Sequence, residues 1–362
     1  MQALECFDGV QTTLDLRSEL VRITGELQVG ELEQHLFDSL NSAGFLDNDF
    51  YRELKAKREA EFAQETVREA AFAGSAYPSG RLLLRDVLTS RLGSAQGGNG
   101  TVAIAAPHAS PDGAWDTYRA AYQSLPRFDN GQDRTFVILG TSHYGAPDHF
   151  GLTRKTFTTP LGDATPDTAL IDELAEAAPG AVRMEDYCHS VEHSIEFQVL
   201  FLQHVYGPSV RILPILCGPF VKSVYEGGMP EENSHVAAFF DALGNIFARE
   251  GGRLFTVLGI DMAHMGQRYG DPIRARAKVG EMIAIEDRDR KRIEQIEAGD
   301  LRAYWSMVQD GHDDLKWCGS APLYTFLKTR PEVRGKLLHY HQWQIDPGSV
   351  VSFGAMQFCD GH

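Results

Sequence analysis

From about residue 100 onward, short unbroken apolar runs alternate with stretches in which apolar residues return every three or four positions. Val102–Ala106, Thr135–Leu139, Val210–Leu216 and Leu254–Gly259 are continuous β-type runs, the pattern of strands buried on both faces. Trp115–Leu125, Thr168–Ala178, Ile195–Tyr206, His235–Arg249 and Pro272–Glu286 carry the helical period. This alternation predicts an α/β fold: a central mixed, largely parallel sheet with helices on both faces. In such sheets functional residues gather just beyond the strand ends.

The first part of the chain has a different character. Glu5–Asp8 and Thr12–Leu16 flank Gly9 like a short strand pair. Leu32, Leu36 and Leu40 then recur at helical spacing with Phe37, in a run that ends at Gly44. Asp49–Ala71 is charged and helical in pattern, with Thr66 and Glu69 spaced as a capping box. The order suits a small N-terminal α+β module resembling a winged helix or a PqqD-like domain; a helical cap on the main domain accounts for it equally. The expected division is 1–73 for this module and 74–362 for the α/β domain. Within the latter, Ser94–Gly100 (SAQGGNG) is the clearest punctuation and marks the entry to the sheet.

An apolar content of 43% is enough for a large core, while the net charge of −16 argues against a nucleic-acid backbone as main partner. No apolar run approaches the length of a membrane span, and the N-terminus lacks a basic region followed by an apolar one. Five cysteines, Cys6, Cys188, Cys217, Cys318 and Cys359, are widely spaced without a CxxC pair. Reduced thiols and a cytoplasmic location are the expectation.

Three of the strand patterns end in a histidine-bearing loop. His108 follows the first, Ser142 and His143 the second, and Asp261 and His264 a later one. One such histidine is ordinarily a packing or capping residue; three converging on a sheet edge is what a metal or acid–base pocket requires. In Cys188–Gln198 (CHSVEHSIEFQ), a helix starting near Val191 would place Glu192 and Glu196 on one face with His193 beside them. Glu192 and His193 then read either as acid–base or metal-orienting groups, or as acidic decoration of a helix N-terminus. Cys318, in LKWCGSAPLYTFL, precedes a turn into a helix, a position that lowers a thiol pKa. Taken alone it is more simply an inert packing residue, as Cys188 and Cys217 are read to be.

Together these segments resemble the Memo family, known in bacteria and archaea as AmmeMemoRadiSam system protein B. The matching elements are Pro107–Ala109 (PHA), Ile138–His143 (ILGTSH), Thr159–Asp163 (TPLGD), Val191–Glu196 (VEHSIE), Pro214–Gly218 (PILCG), Asp261–Gly266 (DMAHMG), Cys318–Gly319 and Ser349–Met356 (SVVSFGAM). They cover roughly 74–358. The resemblance implies a fold similar to class III extradiol dioxygenases, with a cysteine in place of the metal-binding carboxylate. It implies His108, His143 and Cys318 as metal ligands, with His193, His264 and Asp261 lining the same pocket; these three, with Glu192 from the reading above, are the expected catalytic residues. Ser110-Pro111 and Gly259-Ile260 depart from the family's usual Gly-Tyr and Ser-Ser, which changes the pocket wall and leaves the ligands intact.

Two imidazoles and a thiolate suit one ion of Fe(II), Cu or Zn better than Mg or Ca. The leading expectation is a redox enzyme using iron or copper on a small-molecule or peptide substrate. Two others stand beside it: a non-catalytic peptide- or protein-binding scaffold working with a radical-SAM partner, which the resemblance implies, and a zinc hydrolase. Neither a nucleic-acid nor a membrane partner is expected.

Overall fold

The computed structural model describes residues 2–93, 97–98, 100–128 and 134–361, so part of the Ser94–Gly100 punctuation lies outside the described residues. The chain forms two compact units, Met1–Gln64 and Glu65–His362. Among the described residues no helix is long and apolar enough to cross a membrane.

The first unit contains a 3-10 turn (Gln2–Cys6) and helices Thr13–Thr24, Gly30–Ser42 and Asp49–Gln64, with Leu16, Leu20 and Val29 buried. The strand pair expected around Gly9 is not formed. Asp8 accepts the amide protons of Val10 and Gln11, which closes a turn, and Thr12 and Asp15 form a reciprocal capping box that starts a helix where a strand was expected. The charged helix stops at Gln64, and Thr66 caps nothing: the chain goes directly into an extended pair, Val67–Arg68.

The second unit is built on twelve strands: β1 (Val67–Arg68), β2 (Thr101–Ala106), β3 (Thr135–Thr141), β4 (Phe150–Leu152), β5 (Thr156–Thr159), β6 (Gly162–Pro166), β7 (Val182–Met184), β8 (Arg211–Cys217), β9 (Leu254–Gly259), β10 (His264–Gly266), β11 (Val333–Asp346) and β12 (Ser349–Asp360). The order is β1-β5-β6-β8-β3-β9-β2-β12-β10, with β11 also on β12 and β4 on β7 and β8. The centre, β6-β8-β3-β9-β2, is parallel, and β12 closes it antiparallel to β2. Successive residues of the central strands face opposite cores. Ala103, Ala105, Val137, Leu139, Leu213 and Ile215 enter one, and Ile104, Ala106, Phe136, Ile138, Ile212 and Leu216 the other. Burial on both faces is why these strands read as unbroken apolar runs.

The register fixes the functional edge. Ala106 and Gly140 both lie opposite Gly259, so β2, β3 and β9 end in one row and release their loops side by side. The helices expected at 115–125, 168–178 and 235–249 form at Pro111–Gln123, Thr168–Ala177 and Ser234–Glu250. The one expected at 272–286 begins only at Glu281. Before it, the amides of Ala277 and Lys278 are held by the side chains of Gln344 and Gln342 on β11.

Candidate metal centre

His108 leaves the end of β2 almost fully buried. Its amide donates to Asp261 Oδ1 at 3.0 Å, and its Nδ1 lies 2.9 Å from the carbonyl oxygen of Gly259. A carbonyl can only accept, so Nδ1 carries the proton and Nε2 keeps its lone pair. That Nε2 is 3.2 Å from Cys318 Sγ and 3.6 Å from Asp261 Oδ2.

His143 follows β3 and is tied to Glu192 twice, its amide at 3.0 Å and its Nδ1 at 3.0 Å from both carboxylate oxygens. Glu192 also receives the amides of His193 and Ser194 at 2.9 and 3.2 Å, and faces His193 Nδ1 at 3.2 Å. One buried carboxylate thus anchors two imidazoles by the same ring nitrogen. This capture of backbone amides also corrects the expected helix: it begins at Glu196, and Glu192 is extended (φ −84°, ψ 135°) after a single turn at Cys188–Val191. Glu196 does not join the site. It pairs with the buried Arg68 and accepts the amides of Ala71 and Phe72.

One ring nitrogen from each of His108, His143 and His193 lies within 4.8 Å of the other two. The ring centroids are 5.0–5.1 Å apart, with His143 and His193 stacked and His108 edge-on to both. Because the Nδ1 atoms face acceptors, the Nε2 atoms are the nitrogens left available to an ion. Metal–nitrogen bonds of about 2.1 Å place tetrahedral ligands about 3.4 Å apart. Small ring tilts close that gap, so the residues fit one ion. Cys318 completes the wall just before the helix Ser320–Thr329. Gly319 permits its approach, since a Cβ there would stand 2.9 Å from the Asp261 carbonyl oxygen; at Gly259 it would meet the Ser194 carbonyl oxygen at 2.1 Å.

His264 occupies the flank, with Asp261 and His143 as electrostatic neighbours and its ring edge-on to Tyr269 at 4.9 Å. Its Nδ1 faces the carbonyls of Met262 and Lys316 at 2.9 and 3.0 Å, which again frees Nε2. The structure therefore gathers His108, His143, His193, Glu192, Asp261 and Cys318, with His264 beside them.

The electrostatics follow from burial and these contacts. Burial, with His143 and His193 nearby, holds His108 well below the usual imidazole value. Burial opposes ionisation of Glu192, yet the hydrogen bonds from His143 and His193 outweigh it and hold the carboxyl far below its usual range. Burial also works against the His143 cation, and Glu192 overrides it and raises that pKa. Burial pushes Asp261 up and lowers His264. Burial, then Asp261, pushes the Cys318 thiol well above its usual value, contrary to the lowering expected at a helix N-terminus. Arg68, read from sequence as part of a helix, is a residue the pattern missed; nothing in its spacing separates it from surface arginines.

An α/β sheet with imidazoles converging beyond the ends of its parallel strands defines a protein with a candidate metal centre. This chain belongs to the Memo family: the profile of the Memo-like protein family matches residues 68–357. It is 25% identical to a MEMO1 family protein of Aquifex aeolicus over 98% of this chain and 90% of that one, a span that takes in nearly all of the N-terminal unit. It is 31% identical to a MEMO1 family protein of Thermococcus kodakarensis over 76% of this chain and 92% of that one. A Pyrococcus abyssi MEMO1 family protein is 28% identical over the same shares.

Proposed function

We propose that the chain is a single-metal redox protein in which His108, His143 and His193 supply nitrogen ligands and Cys318 a sulfur. The observation that carries this reading is the shared hydrogen-bond pattern of three clustered rings: each imidazole has Nδ1 facing an acceptor, which leaves its other nitrogen available to an ion. It gives His193 the same standing as the two histidines named by resemblance. Nitrogen and sulfur donors favour iron, copper or zinc over magnesium and calcium. Iron or copper held there would supply electron transfer toward O₂ or a small substrate.

The protein's own groups divide the remaining work. Glu192 fixes two rings, and Asp261 holds the loop of His108 through its amide. His264 has a free Nε2 and a pKa lowered by burial, so it can accept a proton at neutral pH. A zinc hydrolase is the second reading, favoured by the carboxylate–imidazole pairs at Glu192, an arrangement common behind zinc. Elemental analysis of freshly purified protein, followed by anaerobic Fe(II) or Cu(I) loading and O₂-uptake measurement, separates the two. Retention of full metal content by His108→Ala, His193→Ala and Cys318→Ser alike would remove the assignment.

A further inference from the structure

The metal reading leaves open what holds the Glu192–His193 segment against the sheet edge. This segment is neither strand nor helix; its backbone is tied locally, the Glu192 amide to the Cys188 carbonyl and the His193 carbonyl to the Phe197 amide, which leaves the Glu192 carbonyl for a side chain to hold. The geometry points to Arg68 as a positioning residue for the metal centre, an inference that rests on the metal reading above. Arg68 sits on β1, which pairs with β5 far from the strands that carry His108 and His143. Its guanidinium is buried and crosses to the segment. Nε donates to the carbonyl of His189 at 2.8 Å, and one terminal nitrogen to the carbonyl of Glu192 at 2.8 Å. The other terminal nitrogen binds the carbonyl of Glu69 at 2.9 Å and pairs with Glu196.

These acceptors bracket the segment. His189 lies in the single turn before Glu192, and Glu196 opens the helix after it. Holding the Glu192 carbonyl sets the orientation of the peptide that joins Glu192 to His193. The side chain of that same Glu192 is the common acceptor for His143 and His193. Rotation of this one peptide would therefore disturb two of the three imidazole anchors together. Phe72, whose amide is held by Glu196, places its ring edge-on to His193 at 5.5 Å and transmits the same constraint by packing. A planar fork of five donors suits four separated acceptors; an ammonium, with three donors on a flexible stem, does not.

The test uses the full-length chain with Co(II) or Zn(II) alone as the probe. Arg68→Lys and Arg68→Met are compared with wild type by metal titration, thermal unfolding and long-range ¹H–¹⁵N spectra of the imidazoles in metal-free protein. Lys155→Met serves as a control, because Lys155 is likewise a buried cation, and it binds the Glu65 carbonyl and pairs with Glu185. The expected result is a ten- to hundredfold loss of metal affinity in both Arg68 variants, the scale seen when groups that orient ligands are removed. The Nδ1–H tautomer of His143 and His193 should also be lost, whereas Lys155→Met lowers the unfolding temperature and leaves affinity and tautomers alone. Arg68 variants with wild-type affinity and tautomers, altered only in unfolding temperature, overturn the inference. If Arg68→Met does not fold, Arg68→Lys carries the comparison. Wild-type protein that binds no metal overturns the metal reading instead, and the tautomer spectra still decide the role of Arg68.

Discussion

Replacing Glu192 by glutamine exchanges one oxygen for an NH₂ group and should disable His143 as a ligand. In the wild type, Oε1 faces the amides of His193 and Ser194 and the Nδ1 atoms of His193 and His143, while Oε2 faces the amide and Nδ1 of His143. Glutamine has one acceptor oxygen; placed at the Oε1 position it keeps the amides of His193 and Ser194 and the Nδ1 of His193, and an NH₂ stands where Oε2 accepted the amide and Nδ1 of His143. Its NH₂ is left against His143, donor against donor. The imidazole relieves the conflict by moving its proton to Nε2, the atom otherwise available to the metal. Reversing that tautomer costs about one hydrogen bond, ~1–2 kcal/mol, and the loss of an ordered ligand brings the total to about 10–100-fold in affinity. The pH dependence should move the other way. Glu192 raises the His143 pKa, so in the wild type proton competition weakens metal binding as pH falls from above the ordinary 6.5. In Glu192→Gln the affinity is lower throughout, but its decline begins at a lower pH. Competition titrations against a chromophoric chelator, run as a pH series with Zn(II), measure both effects. An affinity within about threefold of wild type, with the same pH midpoint, would refute the reasoning, since the expected loss is at least tenfold.

Stability of the metal-free protein should show the same pair by linkage. Glu192, held below its ordinary 4.5, contributes stability that is present above that value and lost as pH falls through its folded pKa; His143, held above its ordinary 6.5, contributes stability below 6.5 that is lost as pH rises. The unfolding-temperature gap between wild type and Glu192→Gln should be widest between 4.5 and 6.5, and a gap independent of pH would contradict this. Gly259→Ala drives a methyl into the Ser194 carbonyl and should cost about 1–3 kcal/mol in urea unfolding while weakening metal binding through His193; unchanged values for both would remove the close-approach argument. Asp289→Ala strands three buried donors, Trp317 Nε1, Tyr340 OH and Ser352 Oγ, at 2.6–2.7 Å, and should cost about 3–5 kcal/mol; a loss below about 1 kcal/mol would mean that they find new partners.

The strand ends were legible because burial on both faces leaves runs that are apolar almost throughout, with Arg211 at the exposed start of β8 and Thr256 inside β9 among the exceptions. His108, His143 and Asp261 could be placed on one edge from that pattern alone, and the register of β2, β3 and β9 agrees. The Glu192 region was harder. Its residues carry helical spacing, and what breaks the helix is a side chain folding back on its own amides, an interaction that periodicity does not encode. The N-terminal turn failed for a similar reason: Thr12 and Asp15 form the recognisable capping box, but the alternation around Gly9 reads more strongly as strand. Arg68 was invisible because a buried arginine is identified by its acceptors, and three of its four lie 121 to 128 residues further along the chain. The thiol of Cys318 was misjudged in sign because position at a helix end is local, whereas desolvation depends on the whole fold.

Charge explains why such a cluster should hold a cation at all. His108 is neutral in its buried place, and Glu192 is an anion wedged between two rings. The nearby guanidinium of Arg68 is already matched by Glu196, and Lys316 by Asp271. Among the described residues, negative charge at Glu192 therefore faces the imidazoles without a dedicated Lys or Arg. A proton on His143 is the partial remedy visible in its raised pKa. An ion held by the three imidazoles would be the fuller one: the Nδ1–H groups would then donate more strongly to Glu192, and the proton on His143 would be given up. The carboxylate whose ionised form already stabilises the metal-free site through its hydrogen bonds would bind the two rings more strongly once they carried an ion.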